Sequence, residues 1–196
     1  MGLHLKYMDT AVYMSGHSHG IHVPKTLLVF HETISSDVPG WKDITSVESF
    51  LAAKDYGIHG MADAEGNKAW AYKMGSAIFW HAGGVNTEAI GIELISNIPL
   101  RARDNASRYQ LWKFRDKQLR AAAKMAAAIH NTRPHQIPLK FSDSRVPGVT
   151  SHWNVSKWHT ESEGHSDCYP KHLGGYFPIL YVIGLARMYA KTGISL

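Results

Sequence analysis

Residues 151–170, SHWNVSKWHTESEGHSDCYP, carry three histidines, three acidic residues and the chain's one cysteine. Imidazoles, carboxylates and thiolates are the zinc ligands of proteins. A catalytic zinc takes three of them and leaves a fourth position for water. His152 with Asp167 or Cys168 supplies two ligands from this one segment, and His31 has to arrive from elsewhere in the fold. Separations of about 15 or 16 residues match no closed structural finger, so this spacing alone does not fix the chemistry. Glu93 stands in IGIELI among apolar neighbours. A buried carboxylate is costly unless paired or functional, whereas strand alternation would turn it to solvent. Trp80-His81-Ala82-Gly83 reads either as a site segment or as a buried aromatic before a turn. No Ser–His–Asp order and no phosphate loop stands out, and nothing supports Cys168 as a nucleophile.

These residues need elements to hold them. TLLVFH is an apolar run of strand length ending on His31. SSDVPGWKD follows as a loop, with Pro39-Gly40 as its turn signal. TSVESFLAAKD then reads as a helix, with Thr45 and Glu48 at capping-box spacing. YGIHGMAD and KAWAYKM flank AEGN as a hairpin, and EAIGIELI is a further strand. Leu111, Phe114, Leu119, Ala122, Met125 and Ile129 recur at helical spacing, which predicts one helix over residues 105–132, closed by Pro134. Pro178 opens a last helix and Gly193 caps it. His152 follows a turn at Pro147-Gly148. The expectation is a single α/β domain over residues 23–196 with a mixed central β-sheet and two main helices. Residues 1–22, containing GHSHGIH, are expected to form an N-terminal arm.

With 196 residues, 44% hydrophobic and 19% charged, the chain can bury one core. No apolar run is long enough to cross a bilayer, and MGLHLKYMDT lacks the apolar stretch of a secretory signal. One cysteine excludes an internal disulfide framework. The net charge of +5 suits an anionic partner. Its basic residues are scattered without a nucleic-acid motif. A monomer with neither a nucleic-acid nor a membrane partner is expected. Thirteen histidines against twenty-one Lys plus Arg point to metal or proton chemistry.

In order along the chain, VFHETIS, YGIHGMADAEGN, FWHAGGVNTEAIGIELI, a long helix, GVTSHWNV and GHSD resemble the zinc N-acetylmuramoyl-L-alanine amidases. That family takes in phage endolysins, bacterial amidases and peptidoglycan recognition proteins. The most specific elements are WHAG followed by N-x-x-x-I-G-I-E, and the H-x-x-V … H-x-D ending. The resemblance spans about residues 24–190.

The resemblance implies a mixed sheet flanked by helices, with Zn2+ at one end of a substrate groove. It makes His31 and His152 zinc ligands, and Asp167 or Cys168 the third. H-x-D favours Asp167, and neighbours on an extended segment point opposite ways. Glu93 corresponds to the general base of one branch. His165 stands where many members have lysine, and is expected to be a cation stabilising the oxyanion. Trp80 and His81 correspond to groove residues that meet substrate, and His59, a strand histidine beside the site, is expected to bind substrate with them. Ile58 replaces a tyrosine of some branches, and Cys168-Tyr169-Pro170 stands where Pro-Gly usually follows the last ligand. The implied partner is peptidoglycan, cut between the lactyl group of muramic acid and L-alanine. HSD and VSKW most resemble phage members. That suggests an endolysin made in the cytoplasm without a signal peptide and acting on the bacterial wall. The alternatives are a muropeptide-recycling amidase, a non-cleaving recognition module and a basic nucleic-acid binder.

Overall fold

The computed structural model describes residues 19–22, 24–34, 41–71, 76–96, 104–132 and 137–193. Pro39-Gly40, Pro134 and the first three residues of GHSHGIH lie outside them.

The elements in chain order are β1 (Leu27–Ile34), α1 (Trp41–Ala53), β2 (Gly60–Ala62), β3 (Lys68–Trp70), β4 (Ala89–Ser96), α2 (Asn105–Lys113), α3 (Asp116–Asn131), β5 (Gly148–Ser151), α4 (His152–Trp158) and α5 (Ile179–Lys191). Their five strands form one mixed sheet in the order β3-β2-β4-β1-β5. The β2–β3 hairpin is antiparallel, and the other neighbours run parallel. This is the α/β domain that the hydrophobic pattern predicts.

Alternation along the strands divides the core. Leu28, Phe30, Ile90, Ile92, Leu94 and Val149 face α3 and α5. Alanines at 121, 122, 123, 126, 127 and 128 make α3 slim enough to be buried between sheet and α5. Gln118 fastens its start, donating from Nε2 to the carbonyls of Ala62 (2.8 Å) and Ile95 (2.6 Å). The opposite face packs Ile44, Val47, Met61 and Ile95 beside α1, and Leu27, Val29, Ala89 and Val155 beside α4. That second face carries the site.

Several expectations shift. β1 continues three residues past His31, which sits inside the strand. α1 begins at Trp41, so Thr45 lies within the helix and accepts at its carbonyl from Ser49 Oγ. The helix predicted over 105–132 is two helices that part at Phe114–Arg115, so the described residues hold more than two main helices. The break buries Trp112 and leaves Phe114 87% exposed, so Phe114 is not a core residue. Asp104 caps α2 by accepting from Ser107 N–H at 2.7 Å. α5 begins after Pro178, and Gly193 follows its C-cap with φ +68°, the left-handed turn that ends helices. Residues 19–22, assigned to the arm, are hydrogen-bonded to residues 76–78.

Candidate active site

Strand register assembles the site. On the parallel β1–β4 pair His31 lies opposite Glu93, so both side chains leave the same face. On the other side of β1, Phe30 pairs with Ser151, the last residue of β5. The next residue, His152, therefore emerges beside His31. It opens α4, which Ser151 caps by accepting from the Asn154 amide. The position is where open parallel sheets place their sites, at the carboxyl ends of strands. The loop after α4 returns Asp167, held by its carbonyl to the Trp153 amide at 3.1 Å.

Three donor atoms converge there. His31 Nδ1 and His152 Nδ1 are 3.1 Å apart, and Asp167 Oδ2 is 3.2 Å from His152 Nδ1 and 3.5 Å from His31 Nδ1. Two ligands about 2.0–2.1 Å from a tetrahedral zinc are about 3.3 Å from one another. The donor set therefore fits a zinc ion in both chemistry and spacing. Burial, then the neighbouring His152, lowers the His31 pKa to about 4, so the ring is neutral at neutral pH and one of its two nitrogens offers a lone pair. Burial alone would raise the Asp167 pKa. Hydrogen bonds with His152 and His31 outweigh it and hold the acid ionised.

Cys168 turns away. Its backbone adopts φ +57°, and the side chain enters the apolar core, fully buried. Burial pushes the thiol pKa well up, so the thiolate a metal needs does not form there. Of the two adjacent residues, only Asp167 faces the histidines.

A cavity of about 450 Å³ opens over this cluster and is walled by His31, Tyr56, Trp80, His81, Glu93, Glu161, His165 and Asp167 among others. Glu93 is 7% exposed, and burial followed by the charges of Asp167 and Glu32 raises its pKa well above the carboxylate norm. His81 Nδ1 lies 3.0 Å from His31 Nε2, bracing that ring from behind. The loop carrying His81 is clasped by Asn86, whose Oδ1 accepts from the amides of His81 (2.9 Å) and Ala82 (2.7 Å). The N of N-x-x-x-I-G-I-E thus acquires a physical role that sequence alone left unstated. Trp80 stands at the rim, 46% exposed.

Two further histidines are placed by the fold. His165 stacks on His152 with centroids 3.8 Å apart. Partial burial, then His152, lowers its pKa. His59 is fully buried and does not line the cavity. Its Nδ1 accepts from the Gly91 amide and its Nε2 donates to the Ala77 carbonyl, both at 3.0 Å, so it ties β4 to the segment before Trp80. His159 packs against Gly84 in the His81 loop, whose φ of +80° excludes most side chains.

Gly91 explains the glycine inside IGIELI. It shares a face with Glu93, and a Cβ there would meet Ile58 Cδ1 and, at 2.7 Å, His81 Nδ1. Gly91→Ala is expected to push His81 off His31, costing about 1–3 kcal/mol of stability and weakening metal binding. Thermal melts with zinc titration check both. An unchanged affinity would separate His81 from the metal site.

The N-acetylmuramoyl-L-alanine amidase family profile (Amidase_2) matches residues 22–168. That match spans β1, β4, β5 and every residue of the cluster. No curated protein matches the chain. Staphylococcus aureus AmiA, a hydrolase solved with its ligand, is 15% identical over 88% of this chain and 76% of its own, with a TM-score of 0.58. The endolysin amidase LysCS of Clostridium intestinale URNW is 15% identical over 91% of each chain, with a TM-score of 0.52. AmpD is 16% identical over 87% of this chain and 90% of its own, with a TM-score of 0.51. At such identities these likenesses speak for the fold alone. It is the profile, matched over three quarters of the length and through the whole cluster, that decides: the chain belongs to the N-acetylmuramoyl-L-alanine amidase family and is an amidase of that kind.

Proposed function

We propose that this enzyme hydrolyses the amide between the lactyl group of N-acetylmuramic acid and L-alanine with one zinc ion held by His31, His152 and Asp167. The observation that supports this most is the convergence of three donor atoms 3.1–3.5 Å apart beside a buried glutamate. Zinc in that position supplies an acidified water and polarises the substrate carbonyl. Glu93, with its raised pKa, accepts the proton of the attacking water and returns it to the departing L-alanine amine. His165 directs an N–H at the oxygen on which charge develops. His81 keeps the His31 ring oriented.

Digestion of purified peptidoglycan with mass spectrometry of the products tests the bond. New amino-terminal alanine is expected, and new reducing sugar ends would make the enzyme a glycosidase instead. Chelation is expected to abolish turnover and added zinc to restore it. Full activity in metal-free protein would remove zinc from the reading.

We read the biological role as lysis of a bacterial wall by an endolysin, on the strength of HSD, VSKW and a net charge of +5 that suits an anionic wall. Intact sacculi should therefore be cut as readily as soluble muropeptides. A strict preference for soluble fragments would move the enzyme to recycling.

A further inference from the structure

The family match begins at residue 22, yet the backbone just before it pairs with the segment that leads to Trp80. His19 N–H donates to the Ile78 carbonyl at 2.8 Å, Ile78 N–H to Gly20 at 2.9 Å, and His22 N–H to Ser76 at 2.8 Å. Ile21 and Ala77 form the antiparallel bridge between them. This short ladder runs beside the segment that leads into Trp80. It delivers the His19 imidazole flat onto the indole, with ring centroids 3.7 Å apart and planes 8° from parallel.

A tryptophan at a cavity rim, 46% exposed, has rotamers to choose from. A ring clamped against one of its faces restricts that choice and presents the rest of the indole to the cavity as a fixed apolar plate. The ligand that suits such a plate is uncharged and presents a broad face of C–H groups on one side. Among its described lining residues the cavity has no Lys or Arg to receive a stem-peptide carboxylate, and its charged groups are acidic. A neutral pyranose ring meets both conditions.

We propose that His19 is a positioning residue, holding Trp80 as the stacking platform for an N-acetylated sugar ring of the glycan. The sugar rests on the amidase reading, whereas the clamp itself does not.

The test uses the full chain in two assays. In metal-free protein, which cannot cleave, co-sedimentation with purified peptidoglycan measures binding alone. His19→Ala is expected to weaken it about three- to tenfold, the worth of one aromatic stacking contact. His19→Phe, which can stack without imidazole nitrogens, should restore it. Trp80→Ala should lose at least as much, and adding His19→Ala to it should cost nothing further. With zinc present and a soluble muropeptide, His19→Ala should raise KM by the same factor, with kcat and bound zinc unchanged. Wild-type binding by His19→Ala, additive losses in the double variant, or a fall in kcat at constant KM would each overturn the clamp. Should the wild-type enzyme release no new amino-terminal alanine, the amidase reading fails, and the sedimentation series still decides the role of His19.

Discussion

Asp167→Ala is expected to leave the protein without stoichiometric zinc and without turnover, while Cys168→Ala keeps both. Asp167 is the anionic member of the donor set, and its carboxylate closes a triangle with two imidazole nitrogens that are 3.1 Å apart. Without it, the two imidazoles remain as ligands. The loss of affinity should exceed the roughly 10–100-fold that removal of an outer partner costs. Cys168 is adjacent in sequence but lies on the far side of the backbone, fully buried with Phe30, Tyr176 and Phe177 in the same core cluster. Cys168→Ser puts a hydroxyl into that apolar setting, for about 1–3 kcal/mol of stability if it finds no partner. Its melting temperature should fall while its zinc stays. Cys168→Ala separates that cost from any effect on metal. Elemental analysis of purified protein, with turnover and melting curves, checks all three variants. Zinc lost from Cys168→Ala and kept in Asp167→Ala would transfer the ligand to the thiol.

Why that choice was hard to read from the sequence is physical. Alternation says that neighbours on an extended segment point apart, but not which one faces the metal. The sign of φ at Cys168 decides it, and a cysteine gives no sign of a left-handed turn as glycine would. The strand cores were legible, because LLVF and IGIELI carry runs that suit a sheet covered on both faces. The β2–β3 hairpin announced itself through its Gly-containing turn. The break at Phe114–Arg115 did not, since neither Gly nor Pro marks it and the helical period continues across. Register was also hidden. Nothing in the chain says that His31 stands opposite Glu93 or that Ser151 pairs with Phe30. Those two facts carry Glu93, His31 and His152 into one row. Trp80 and His81 could be placed at the site through WHAG, whereas His59 looks the same in sequence and serves to join two backbones.

Glu93→Gln is expected to lower kcat by about 10²–10⁴-fold, the usual cost of losing a general base, with zinc content and fold retained. Glutamine is nearly isosteric, so the packing around the side chain survives, but its amide cannot take a proton from water. The site raises the Glu93 pKa first by burial, then through Asp167 and Glu32, bringing the carboxylate nearer the pH at which it must both accept and return a proton. Activity requires the deprotonated acid, so kcat/KM should climb as pH rises through that pKa. The climb should lie above the range of an ordinary glutamate, about 4.3. In Glu93→Gln this limb should vanish from whatever turnover is left. Stability gives an independent sign. A carboxyl whose pKa is higher folded than unfolded favours folding at low pH and loses that advantage as pH rises through its folded pKa. Above the unfolded pKa the buried charge is a burden, and glutamine removes it. Metal-free Glu93→Gln should accordingly melt no lower than metal-free wild type at neutral pH. Near-normal turnover with an unaltered acid limb would show that Glu93 only borders the site. A collapse of turnover together with zinc loss would instead make it part of the metal's support.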